Sequence, residues 1–265
     1  MSNLSPSDYA DLQAAATKLE NQSFAMVVAS KAGMSIESLL HMLPRGAQEL
    51  VSGAVDKALR QCLRIAIAGK SKSAIVRNKH SHTAAVAVTG AVGGFFGLPG
   101  MIVELPITTT VMLHSIVEIA RANGEDLSNP AGALACLEVL ALGPKGVRGE
   151  ALESAYYATR TALAQITREA AAYIAQNGLT KEGAPALVSF LGKIASRFGL
   201  EASEKAAAEL VPIAGAAGGL TLNVLFTNYF QRLAEGHFAI RRLERKYGSE
   251  LIHQEYEHAR TRLLS

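Results

Sequence analysis

The chain has 265 residues, 49% of them hydrophobic and 18% charged, with a formal net charge of +3. That length can bury a sizeable core, and the charged fraction lies below the about 25% usual for a soluble domain. So mild a positive balance, with no Trp and few aromatic residues, argues against a nucleic-acid partner. From the N-terminus, Ser7 is expected to cap a first helix from Asp8 to Ala32, with Tyr9, Leu12, Ala15, Ala16 and Leu19 on one face. Gly33 would end it, and Pro44 separates a short segment from the next helix, Ala47 to Ala68, closed by Gly69. The opening MSNLSPSDYADLQ has neither the basic nor the apolar region of a secretory signal. Cys62 and Cys136 fall in predicted helices without CxxC spacing, which fits reduced, buried thiols and a cytoplasmic location.

Charge then becomes one-sided. No acidic residue occurs between Asp56 and Glu104, while Lys57, Arg60, Arg64, Lys70, Lys72, Arg77 and Lys79 all do, with His80 and His82. This run leads into the apolar stretch from Ala84 to Val103. Cations beside an apolar segment match contact with anionic lipid headgroups; they equally suit a solvated helix face before a core helix. After the bend Glu104-Leu105-Pro106, helical periodicity continues to Arg121-Ala122-Asn123-Gly124.

Further on, Ser128 or Asn129 caps a helix from Ala131 to Leu142 that Gly143-Pro144 stops. A polar helix from Ala151 to Gln176 and a shorter one from Gly183 to Phe198, ended by Gly199, come next. Another starts at Glu201. A second uncharged run, Ile213 to Phe230, passes into QRLAEGHFAIRRLERKYG and a tail rich in Glu, His and Arg. No segment alternates with period two for long, so the expected fold is all-α: a single domain of long packed antiparallel helices with two central Gly/Ala-rich apolar helices. Residues 1–18 begin the first helix, 19–256 form the domain, and 257–265 the tail.

The two central segments resemble one another. Gly90-Ala91-Val92-Gly93-Gly94 and Gly215-Ala216-Ala217-Gly218-Gly219 each open an apolar run, and each run closes on a basic residue and a Gly, at Gly124 and Gly248. Small residues at GxxxG spacing let helix backbones approach closely. Each run nears the about 20 apolar residues needed to span a bilayer. Gly97, Pro99, Gly100 and Asn223 argue instead for buried helices.

Familiar catalytic motifs are absent. Gly69-Lys70-Ser71 lacks the upstream Gly and the strand of a phosphate loop, His253-Gln254-Glu255-Tyr256-Glu257-His258 misses HExxH spacing, and no GxSxG occurs. Glu104, His237 and Glu244 are the candidates for acid–base work if the central helices pack together. His114 and Glu118, four apart on one helix face, are weak metal-ligand candidates without the Glu-x-x-His arrangement of bundle metal sites. The alternative is a buried polar network with Glu104 paired to Arg241 or Arg242. No cofactor is identified by these residues.

GAVGGFFGLPGMIVELPITTTVMLHSIVEIARANGEDL, then CLEVLALG, then SRFGLEASEKAAAELVPIAGAAGGLTLNVLFTNYFQRLAEGHFAIRRLERKYG together resemble the EcsC protein family. The resemblance runs from about Leu19 to Tyr256. Its pattern matches at Glu104, Pro106, Thr108 to Thr110, Glu138, Arg197, Lys205, Asn223, Gly236, His237, Arg242, Glu244, Tyr247 and Gly248. An Arg is usual where this chain has His114, and Asp-His where it has Asn228-Tyr229. The resemblance implies a bacterial protein linked to secretion or transport at the envelope, and no established activity.

These readings converge on a membrane-associated helical binding protein. Its binding residues would be Lys57, Arg60, Arg64, Lys70, Lys72, Arg77, Lys79 and Arg242, and its partner an anionic membrane surface or a membrane protein. Its expected place is the cytoplasm, at the inner face of the membrane. A hydrolase using the Glu/His cluster and a cytosolic scaffold that forms homo-oligomers are the alternatives.

Overall fold

A computed structural model describes residues 4–20, 23–33, 35–68, 97–143, 154–179, 184–210 and 217–264. Capping decides where the first helix starts and stops. Ser5, rather than the expected Ser7, caps α1 (Pro6–Glu20): its Oγ accepts the Asp8 N–H at 3.2 Å. Pro6 takes the first helical position, where its missing N–H costs nothing. The helix expected to run on to Ala32 ends at Glu20. It restarts as α2 (Phe24–Ala32), because Ser23 Oγ accepts the Met26 N–H and makes a new N-terminus.

The chain continues through α3 (Ile36–His41), α4 (Ala47–Ile67), α5 (Gly97–Ala122) and α6 (Pro130–Glu138), the last prolonged by a 3-10 turn, Val139–Ala141. Then follow α7 (Ala155–Asn177), α8 (Pro185–Glu209), α9 (Ala217–Tyr247) and α10 (Ser249–Leu264). Among the described residues there is no strand, and the fold is all-α. The two helices expected on either side of Gly199 are one, α8. Phe198 and Ala202 are both fully buried beside the glycine, and that burial offsets the about 1 kcal/mol by which Gly weakens a helix interior.

Two long helices, α5 and α9, form the centre and run in the same direction. Gln231 bonds Ser115 and Arg241 bonds Glu125, at one sequence separation of 116. α1 lies antiparallel against α9, since Lys18 pairs with Glu235, Asp11 with Arg242 and Asp8 with Lys246. α4 packs on α5, α6 and α8; α7 packs on α6 and α8; α10 packs on α1 and α9. The core is continuous from Leu12 on α1 through Leu59, Leu113 and Phe198 to Phe230.

The described parts of the two segments that resemble one another, α5 and α9, therefore sit side by side. Both central helices close on a glycine with left-handed backbone, Gly124 (φ 73°) and Gly248 (φ 89°). Arg241 and Arg245 of α9 both pair with Glu125, just past the end of α5, and Arg245 also donates to the Asn123 carbonyl. Cations there complement the negative end of the α5 dipole. The glycine-rich openings at 90–94 and 215–216 lie outside the described residues, as do residues 84–96 of the first apolar run. One described helix, Ile102–Ala122, is long and apolar enough to cross a membrane, and 56% of its apolar window is buried inside the fold.

Candidate functional site

Three buried polar groups lie along α9. Each takes its place from helical spacing: residues three and four apart share a face.

The first is the junction of α5, α8 and α9. Lys205 of α8 is fully buried. Its ammonium donates to Glu104 Oε1 of α5 at 3.2 Å and to Glu209 Oε1, one turn along α8, at 2.8 Å. Thr108 Oγ1 donates to the same Glu104 oxygen at 3.1 Å. The ring of Phe226 on α9 lies 5.8 Å from the ammonium, close enough for a cation–π attraction. Burial pushes the Glu209 carboxyl up from its ordinary value, and Lys205 opposes that shift. Glu104 therefore pairs with Lys205. The expected partners are engaged elsewhere, Arg241 with Glu125 and Arg242 with Asp11.

The second group lies where α7, α9 and α10 meet. His237 is completely buried, with its Nδ1 3.1 Å from the Tyr156 hydroxyl. Burial, followed by the nearby Arg160 and Arg241 charges, holds the imidazole well below its usual range, so it is neutral. Glu244 receives Arg160 in a two-pronged grip (2.6 and 2.9 Å) and the Tyr157 hydroxyl at 3.2 Å. Tyr157 stacks on His253 at 4.0 Å, and Tyr256 donates to Glu20 at 2.8 Å. His237 and Glu244 thus share one cluster of tyrosines, while Glu104 belongs to the Lys205 junction. The three acid–base candidates do not meet.

The third group joins α8 to α9. The Tyr229 hydroxyl donates to Glu201 Oε1 at 3.2 Å. Burial, then the neighbouring Glu204 carboxylate, raise the Glu201 carboxyl well above its ordinary value. Two carboxyls this close favour a shared proton. Tyr229, which stands where the family pattern has His, is in this way committed to a carboxyl partner.

The remaining candidates lie apart. His114 Nδ1 is 2.8 Å from the Thr110 carbonyl of its own helix, and among the described residues no three His, Cys, Asp or Glu side chains group as metal ligands. Lys57, Arg60 and Arg64 lie on α4, where Lys57 and Arg64 are exposed and Arg60 pairs with Asp56 at 2.8 Å. Lys70, Lys72, Arg77 and Lys79 fall outside the described residues. Tyr156, Tyr157, Arg160 and Glu201 escape a reading by motif, because each gains its meaning from a partner far away in sequence; Glu209 and Thr227 escape it because only the packing of α8 and α9 shows what they stand beside. Lys205 was singled out only through the family pattern, and Asn223 through that pattern and as a polar break in the second apolar run.

Comparison with known proteins gives one match: the model of the EcsC protein family covers residues 6–243. No curated protein and no solved structure matches the chain.

Proposed function

The chain belongs to the EcsC protein family, and we propose that it is a membrane-associated helical binding protein that engages an anionic lipid surface. The observation that carries this reading is a mixed basic and apolar surface on two adjoining helices. Leu50, Lys57 and Arg64 are exposed at seven-residue spacing, hence on one stripe of α4. On α5, Val103 and Ile107 are exposed one turn apart, to 70% and 47%. Cys62 Sγ of α4 meets the Thr109 carbonyl of α5 at 3.8 Å, a contact two residues from Arg64 on one helix and two from Ile107 on the other. Cations beside exposed aliphatic side chains suit the headgroup boundary, where each basic residue contributes about 1 kcal/mol. In sequence, Arg64 leads directly into Lys70, Lys72, Arg77 and Lys79, which lengthen the basic run. Location at the inner face of a bacterial membrane belongs to the same proposal.

Sedimentation with vesicles tests it. The full chain is expected to pellet with phosphatidylcholine vesicles that contain phosphatidylserine, and to be released as salt rises. Lys57→Glu with Arg64→Glu should abolish the preference for the anionic vesicles, and Val103→Ser with Ile107→Ser should weaken binding to them. Equal binding to neutral and anionic vesicles at low salt would overturn the electrostatic part, and no binding to either would overturn the whole. A hydrolase, the alternative reading, would have to use His237 and Glu244 without Glu104, which stands in a different cluster.

A further inference from the structure

The Lys205 junction holds more oxygen atoms than its donors can serve. The ammonium and Thr108 both bond Oε1 atoms, which leaves Glu104 Oε2 and Glu209 Oε2 buried without a hydrogen-bond partner. Neither polar atom of Asn223 has a partner, nor does Thr227 Oγ1 or Gln231 Oε1, and all three residues are buried to at least 99%. Such groups cost free energy when left unsatisfied in a dry interior.

Asn223 and Thr227 lie on the part of α9 nearest this junction, and Gln231 stands further along the same helix. Asn223 stands three residues before Phe226, whose ring lies against the Lys205 ammonium. It stands eight before Gln231, which bonds Ser115 on α5. Asn223 and Thr227 thus sit on the edge of α9 turned toward both α5 and α8. The common separation of 116 in the parallel α5–α9 pair also sets Asn223 level with Ile107 and Thr108. Two carboxylates and one ammonium leave a net charge of −1 when all are ionised.

We propose that this junction binds one monovalent cation (sodium, potassium or ammonium) through Glu104 Oε2, Glu209 Oε2, Asn223 Oδ1 and Thr227 Oγ1. Hard cations take carboxylate, amide and hydroxyl oxygens together. A single positive charge balances the site, whereas a divalent ion would leave excess charge beside the Lys205 ammonium. Buried carboxylates without enough positive charge attract protons instead, so a bound cation and a proton on Glu209 are competing ways to neutralise the same site. This site does not depend on the lipid-binding reading.

Thermal unfolding of the full chain in sodium, potassium, ammonium or choline chloride at equal ionic strength provides the test. A saturable rise in melting midpoint with one or more of the three small cations, absent with the bulky choline, is expected. Asn223→Leu keeps the volume and removes an oxygen ligand; the concentration for half the effect should rise by about tenfold or more. Asn223→Asp adds a charge and should lower that concentration, which keeps the proposal testable if the Leu variant does not fold. Identical midpoints in all four salts, or a cation response that neither variant moves, would overturn the site.

Discussion

The Lys205 junction and the tyrosine cluster around Glu244 are both buried against α9, yet their charges are matched differently. At Glu244 each carboxylate oxygen meets an Arg160 nitrogen, and Tyr157 adds a third donor. At Lys205 one ammonium serves two carboxylates and leaves an oxygen of each unpartnered. A bidentate guanidinium completes a carboxylate by its own shape, while an ammonium acts as a point charge. The Glu244 cluster therefore works as structural cement. The junction has capacity left for a ligand.

That contrast can be broken most forcefully at Lys205. Lys205→Ala would strand two carboxylates in a closed interior, and a loss of about 3–5 kcal/mol in unfolding free energy is expected by urea denaturation. Arg160→Ala should cost less, about 2 kcal/mol, because Glu244 keeps Tyr157 and retains some contact with water. An Arg160→Ala loss equal to or larger than that of Lys205→Ala would erase the distinction between the regions.

A smaller effect sharpens the comparison through pH. The His237 imidazole, held below its ordinary value of 6.5, contributes stability that is complete above 6.5 and is lost as pH falls below it. The Glu209 carboxyl, raised above its ordinary 4.5, behaves in the opposite sense: its contribution is complete below 4.5 and is lost as pH rises through the raised value. Melting midpoints recorded against pH should therefore show a shallower acid-side decline in His237→Phe and a shallower decline on raising pH from the acidic range in Glu209→Gln. Profiles parallel to the unmodified chain would show that neither group is linked to folding as described.

Much of the architecture was legible in the residues alone. Of Leu50, Ala54, Ala58, Leu59, Cys62 and Ile65, which the period of 3.6 puts on one face, Ala54, Ala58, Leu59 and Cys62 are buried in α4, Ile65 packs half-buried against the core and Leu50 is exposed. The helix ends at Ile67, one residue from the expectation, because hydrophobic periodicity acts locally. All-α character follows from the same property repeated along the chain. Boundaries were less secure where two local signals competed. Gly199 reads as a stop, but burial of its neighbours carries the helix through. The stretch from Asp8 to Ala32 reads as one helix, but Ser23 makes a new beginning.

Which helices become neighbours is a different kind of question. The sequence marks Glu104 as an isolated charge within an apolar segment, so it needs a partner; periodicity names the face it occupies and says nothing of what stands opposite. Only the packing of α8 across α5 and α9 chooses Lys205 over Arg241 and Arg242. The same packing separates Glu104 from His237 and Glu244 and brings Asn223 and Thr227 to the junction. Local propensity and hydrophobic period determine the elements, because they depend on residues a few positions apart. The sites were decided by the tertiary structure, because pairing a buried charge depends on residues about a hundred positions away whose register is set by the whole core.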